Sequence, residues 1–193
     1  MFYVFSGDAG LTSKFIYFRE LPADFEAAVW MTGERFQVPP APMTLVAQDE
    51  KPDRLSDILL TKGGLHVYSP KLRAALAQAG VTNIEYVPIT LVDAARGVTV
   101  QDYAVANIIG KVACLDLSQS SVTRFSSGVG FSSVDEFTLD PSRIEPVDGM
   151  STPPQLFRLG EFVYHVIVTE GLKGHLEDAG ITGAEFVPTT DYC

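Results

Sequence analysis

The sequence predicts an α+β protein built mainly from antiparallel sheet, with a few short helices. Three observations lead there. Short runs rich in β-branched and aromatic residues recur along the chain, separated by glycine and proline, which is the patterning of strands and turns. Apolar residues at helical spacing occur only over short stretches. One phrase is also written twice: "KLRAALAQAGVTNIEYVP" at 71–88 returns as "GLKGHLEDAGITGAEFVP" at 171–188.

In chain order, "FYVF" opens as a strand, "KFIYF" follows the turn signal "SGDAG", and "MTLVA" comes after the proline cluster "VPPAP". "DRLSDILL" places Leu55, Ile58 and Leu59 at helical spacing, predicting a short helix closed by Gly63 and Gly64. The first copy of the phrase then reads as strand "LHVY", N-cap Ser69, first helical residue Pro70, and an apolar stripe of Leu72, Leu76 and Ala79. Gly80 stops the helix, since glycine enters the left-handed conformation without a steric penalty, and "IEYV" with Pro88 forms the closing strand.

"DYAVANII" and "KVACLDL" flank Gly110 as a hairpin, with "SVTRF" as a third strand. "QLFRL" and "EFVYHVIV" flank Gly160 as another. The second copy repeats the first, with Thr169 as cap, Leu172, Leu176 and Ala179 as stripe, Gly180 as stop and Pro188 ending "AEFV". Each copy is a strand–helix–strand unit, and a helix this short must bury its stripe against a sheet. No linker divides the chain, so residues 1–193 are expected to form one domain, with 1–98 and 99–193 as related lobes.

A chain of 193 residues buries roughly 70% of its unfolded surface. With 46% apolar and 20% charged residues, it has the composition of a globular protein. The opening "MFYVFSGDAG" has no basic lead and no long apolar core, so it does not read as a secretory signal. No apolar run approaches the roughly 20 residues of a membrane helix, and a cytoplasmic location is expected. Cys114 lies in an apolar run and packs as a small hydrophobe, while Cys193 ends the chain. Their distance and the absence of a CxxC pair argue against a disulfide framework and a zinc site.

Fourteen basic residues face 24 acidic ones, a net charge of −10. Nucleic acid, itself a polyanion, and anionic membranes are repelled by such a surface. A basic partner is attracted, although acidity also serves plain solubility.

The side chains offer few reactions. His66 and His165 lie in apolar strands at near-equivalent places in the two copies, and His175 shares an exposed helix face with Asp178. A catalytic triad assembles through space, so a small hydrolase using His165 or His66 stays open, though there is no G-x-S-x-G elbow. "SSGVGFSS" lacks the third glycine and the lysine of phosphate-binding loops and reads as a loop. Trp30 is a core residue or an interface anchor. Asp135, Glu136, Asp140, Glu145 and Asp148 cluster near Arg143, without the spacing of a calcium loop. They form either a solvated acidic face or a surface for a basic partner.

Taken in order, "VYSPKLRAALAQAGVTNIEYVP", "DYAVANIIGKVACLDLSQS", "QLFRL" and "VIVTEGLKGHLEDAGITGAEFVP" resemble the Myxococcus-type immunity protein family of bacterial polymorphic toxin systems. The shared pattern is a strand–Ser–helix–Gly–strand unit, a Tyr-containing strand leading to an Asp-x-x-x-Ser segment, and a closing Gly–Phe-x-Pro phrase. Here these are Tyr103, Asp116 with Ser120, and Gly180 to Pro188, spanning residues 55–188, with 126–150 fitting no motif. The resemblance implies a protein without catalysis or cofactor that binds and neutralises a cognate toxin protein. A basic toxin, such as many nucleases, would be steered by the −10 charge. Acids at 133–148 are the first candidates for contact, and Asp49, Glu50 and Asp53 the second. A small-ligand-binding or scaffold protein is the alternative, and the sequence leaves monomer and homodimer equally open.

Overall fold

The computed structural model describes residues 1–7, 15–18, 29–38, 40–48, 55–61, 64–93, 96–147 and 149–193. Among them the strands are β1 (Phe2–Gly7), β2 (Phe15–Phe18), β3 (Met43–Gln48), β4 (Ile58–Leu60), β5 (His66–Tyr68), β6 (Ile84–Asp93) and β7 (Val98–Val100). There follow β8 (Ala104–Ile108), β9 (Lys111–Val112), β10 (Ser121–Arg124), β11 (Phe131–Asp135), β12 (Leu156–Leu159), β13 (Val166–Thr169) and β14 (Ala184–Pro188). Helix α1 (Pro70–Gln78) lies between β5 and β6, and α2 (Glu170–Asp178) between β13 and β14. One sheet has the order β14-β1-β13-β12-β9. The other runs β2-β3-β6-β8-β5-β4, with β7 on the far half of β6, while β10 and β11 form a separate ribbon. The class is α+β, mainly antiparallel, with parallel pairings at β3/β6 and β9/β12.

Both copies of the repeated phrase fold alike. Ser69 and Thr169 accept hydrogen bonds from the Leu72 and Leu172 amides as N-caps, and Pro70 starts α1. Gly80 and Gly180 end the helices at φ +79° and +64°, where a side chain would strain the backbone. The unit is larger than strand–helix–strand. In each copy a third strand slots between the two outer ones: β8 lies between β5 and β6, and β1 between β13 and β14, antiparallel to both neighbours. An additional strand, β4 or β12, forms a hairpin with the first strand of its unit.

The copies face each other in an approximately two-fold way. Ala75 and His175, at the same place in the two copies, meet where His175 Nε2 donates to the Ala75 carbonyl at 3.1 Å. Each post-helix loop holds the other copy's leading strand. Asn83 Nδ2 donates to the Leu156 carbonyl at 2.8 Å, and the Asp57 amide donates to the Thr182 carbonyl at 3.0 Å. Between the copies lies a core of Leu72 and Leu76 from α1, Leu172 and Leu176 from α2, and one face of each sheet, including Phe5, Ile58, Ala106 and Val168. The sheets approach closely near Gly7, where a Cβ would lie 2.9 Å from Leu60 Cγ.

Strand alternation then supplies two outer cores. Leu59, Val67, Val87 and Val105 face one with Trp30 and Met43. Val4, Phe157 and Ile167 face the other with Phe131, Val134 and Phe137.

Several expectations are corrected. Residues 58–60 of "DRLSDILL" form strand β4, because Ile58 and Leu59 are both fully buried on opposite faces, and a short apolar run does not distinguish the two states. A turn follows in which Gly64 takes φ +76°, while Gly63 lies outside the described residues. Pro88 does not close β6. The strand continues to Asp93: past Pro88, β7 succeeds β8 on one edge and β3 joins on the opposite edge.

β8 and β9 are not a hairpin, since they enter different sheets. "SVTRF" pairs with β11 instead. The hairpin across Gly160 is present, but its second strand begins at Val166, with residues 160–165 as turns. The turn signal at "SGDAG" falls largely outside the described residues.

Candidate functional site

The acidic residues singled out in the sequence sit where β11 leaves the ribbon and runs into a sequence of tight turns. Asp135 ends β11 opposite Ser121, half-buried. Glu136 follows, exposed, at φ +40°, the one non-glycine residue with positive φ among the described residues. Its amide donates to the Tyr192 carbonyl at 2.5 Å, so the C-terminal turn fixes this corner. Asp140 caps a 3-10 turn, Pro141–Arg143, accepting from the Ser142 amide at 3.0 Å and hydroxyl at 2.7 Å. Glu145 is exposed. Asp148, Asp49, Glu50 and Asp53 lie outside the described residues.

The Asp-x-x-x-Ser segment builds the matching turn. Asp116 caps Leu117–Gln119, accepting from the Ser118 amide at 2.9 Å and hydroxyl at 2.6 Å. Hydrogen bonds from Ser118, and then from Gln119, hold the Asp116 carboxyl below the usual range against the opposing effect of burial. Ser120 donates to the Asp116 carbonyl at 2.6 Å and accepts from the Thr138 amide at 3.1 Å, lacing the two turns together. "DLS" and "DPS" are thus the same device, an aspartate closing its own turn, and that pattern was legible in the sequence. A cleft of about 300 Å³ separates them, lined by Leu115, Asp116, Leu117, Ser118, Asp140 and Arg143. Arg143 and Glu145 line a second cleft of about 400 Å³ with Lys111 and Val147. Arg143 donates to the Leu115 carbonyl at 3.2 Å and pairs with Glu161 at 3.7 Å.

The turns therefore divide the acids into two kinds. Asp116 and Asp140 are occupied in capping. Glu136 and Glu145 are exposed and carry no side-chain hydrogen bond among the described residues.

The histidines are internal. His66 Nδ1 lies 3.1 Å from the Tyr68 hydroxyl, and burial, then the Arg158 charge, lower its pKa to about 3. His165 stacks on Phe137 and donates from Nε2 to the Val134 carbonyl at 2.9 Å. Burial lowers its pKa against the pull of that carbonyl and of Asp135. Each ring is thus engaged with a phenol or a backbone carbonyl rather than a serine or cysteine. His175 is half-buried between the helices, not exposed as its spacing predicted, while Asp178 is exposed.

Trp30 is core, edge-on to Phe36 at 4.6 Å. Cys114 is fully buried, its thiol pushed up to about 12 by burial first. Tyr103, from the resemblance motif, donates to the Ser56 carbonyl at 2.9 Å. The sequence offered no sign of Arg158, which is buried and donates to the Val163 and Trp30 carbonyls at 2.8 and 3.4 Å. Among the described residues no group of three or more His, Cys, Asp or Glu could hold a metal, and no helix is long and apolar enough to cross a membrane.

What these residues define is a doubled α+β scaffold whose polar motifs brace turns and whose exposed acids stand on that frame. The family model described as immunity protein family (Imm11) matches residues 15–191. The chain belongs to that immunity protein family. The match begins well before residue 55, where the ordered motifs start, and spans the 126–150 stretch that fitted none of them. No curated protein matches the chain.

Proposed function

We propose that this chain is an immunity protein that neutralises a cognate bacterial toxin in the cytoplasm by binding it, with no chemistry of its own. The observation that carries the reading is the family match across residues 15–191. The charge of −10 supports a basic toxin surface as its target. The division of the acids narrows the contact set. Among the described candidates, Glu136 and Glu145, with Asp135 next to Glu136, are the groups proposed to meet the partner, whereas Asp116 and Asp140 are engaged in turns.

The test is co-expression with the toxin gene neighbouring this chain's own gene, followed by binding to the inactivated toxin at several salt concentrations. Survival only in the presence of this chain, and affinity that falls as salt rises, are expected. E136K with E145K should weaken binding and flatten the salt dependence. Unprotected cells and no measurable complex would end the reading.

A further inference from the structure

We propose that the tip of the β10–β11 ribbon is the centre of the surface that binds the toxin. The structure offers an apolar tip, Phe125 and Val129, for an apolar patch, and acids at the ribbon base, Asp135 and Glu136, for basic side chains on the patch's rim. This rests on the immunity reading and names the surface that performs it.

The ribbon carries little charge. From Leu117 to Ser133 the chain carries no acid and a single charge, Arg124, within a protein of net charge −10. Phe125 is 53% exposed and Val129 79% exposed, in a Ser/Gly-rich loop. Isolated exposed hydrophobics are ordinary, but two within one tight loop form a candidate contact centre.

The tip is also held in shape. Gly128 and Gly130 take φ +74° and +77°, the Gly128 amide donates to the Phe125 carbonyl at 2.8 Å, and Arg124 lies over the Phe131 ring at 4.8 Å. Phe131 and Val134 anchor the ribbon into an outer core, and Glu136 and Phe137 tie its base to Tyr192 and Thr189. A loop already ordered loses little entropy on docking.

Charge complementarity selects the occupant. Phe131, opposite Arg124 at the tip end, is buried in the outer core, so the ribbon lies along the body and sets its tip about 13 Å from its base. A partner surface centred on Phe125 and Val129 reaches Asp135 and Glu136 at its rim. Glu136 stands there at φ +40°, where glycine would cost less, so the fold alone gives no reason for a carboxylate. An apolar centre inside a charged rim is the usual plan of a protein contact. Two copies docking tip to tip would bring their acids together, and nucleic acid or anionic lipid would meet the same repulsion.

The experiment uses the full chain and the inactivated toxin encoded beside it. F125S with V129S should keep the native circular dichroism spectrum and weaken binding by about thirtyfold or more, the scale of an interface hot spot. D135K with E136K should lower the association rate and its salt dependence. If wild-type binds and the F125S/V129S double variant binds within about twofold of it, the ribbon is not the interface, although the immunity reading stands. If the wild-type chain itself neither binds nor protects, both fall. If sedimentation shows a wild-type dimer that F125S/V129S converts to monomer with toxin affinity intact, the tip joins copies and the proposal is overturned.

Discussion

His66 shows what a buried titratable side chain does when it has no reaction to perform. Burial and the neighbouring Arg158 bring its pKa to about 3, against about 6.5 in an unfolded chain. Between those values the unfolded state binds the extra proton, so stability is complete above pH 6.5 and declines as pH drops toward 3. His165, also lowered, acts in the same direction. Carboxylates such as Asp116 titrate lower, so the interval from pH 7 to pH 5 isolates the imidazoles. Urea unfolding should show a loss of about 2 kcal/mol attributable to His66 across that interval. His66→Gln should remove this part of the slope, and an unchanged slope would contradict it.

At the scale of elements, the two helices start with equivalent caps that do unequal work. Thr169 caps α2 alone, accepting from Leu172 at 3.3 Å. Ser69 caps α1 and also donates to Asp57 at 2.6 Å. Asp57 in turn accepts from the Thr182 amide and hydroxyl, both at 2.9 Å, so α1 is tied to the other copy. Burial pushes the Asp57 pKa upward, but the bonds from Ser69 and Thr182 with the Lys71 charge outweigh it and hold the carboxyl low. Thr169→Ala is expected to cost about 1 kcal/mol, and Ser69→Ala about 2 kcal/mol, because it also removes a partner from a charged acceptor. Chemical denaturation of the two variants gives the comparison, and equal costs would show that the Asp57 bond adds nothing.

These caps were legible in the sequence because capping is local: Ser69, Pro70 and Gly80 act within one turn of themselves. The β4 segment was not, since Leu55, Ile58 and Leu59 satisfy a helical stripe and a doubly buried strand alike until the neighbouring sheet is known. Asp140 and Glu145 likewise carry the same charge in the sequence. Only the turn at Ser142 shows that one is engaged, while the other carries no side-chain hydrogen bond among the described residues.

For the whole molecule, the halves 1–98 and 99–193 each hold one copy of the phrase, yet neither holds all the strands of its own unit. β8 comes from the second half to fill the first unit, and β1 from the first half to fill the second. Both helices also bury their stripes in one shared core. Expressed separately, the halves should lack the far-ultraviolet circular dichroism of native sheet and regain it on mixing. The intact chain should unfold in one transition. A folded 99–193 fragment would show that the lobes are independent.

The sequence by itself determined the doubling, the caps and stops of α1 and α2, the α+β class, the acidity and the family pattern, since each is carried by local residue order or by composition. The tertiary structure alone decided which strand fills each unit, how the partners of β6 change past Pro88, which of the described acids carry no side-chain hydrogen bond, and that Phe125 and Val129 are exposed at the tip of a ribbon whose Phe131 and Val134 are buried. Strand insertion and exposure depend on surfaces that meet across a hundred residues of chain, and no local preference encodes such a meeting.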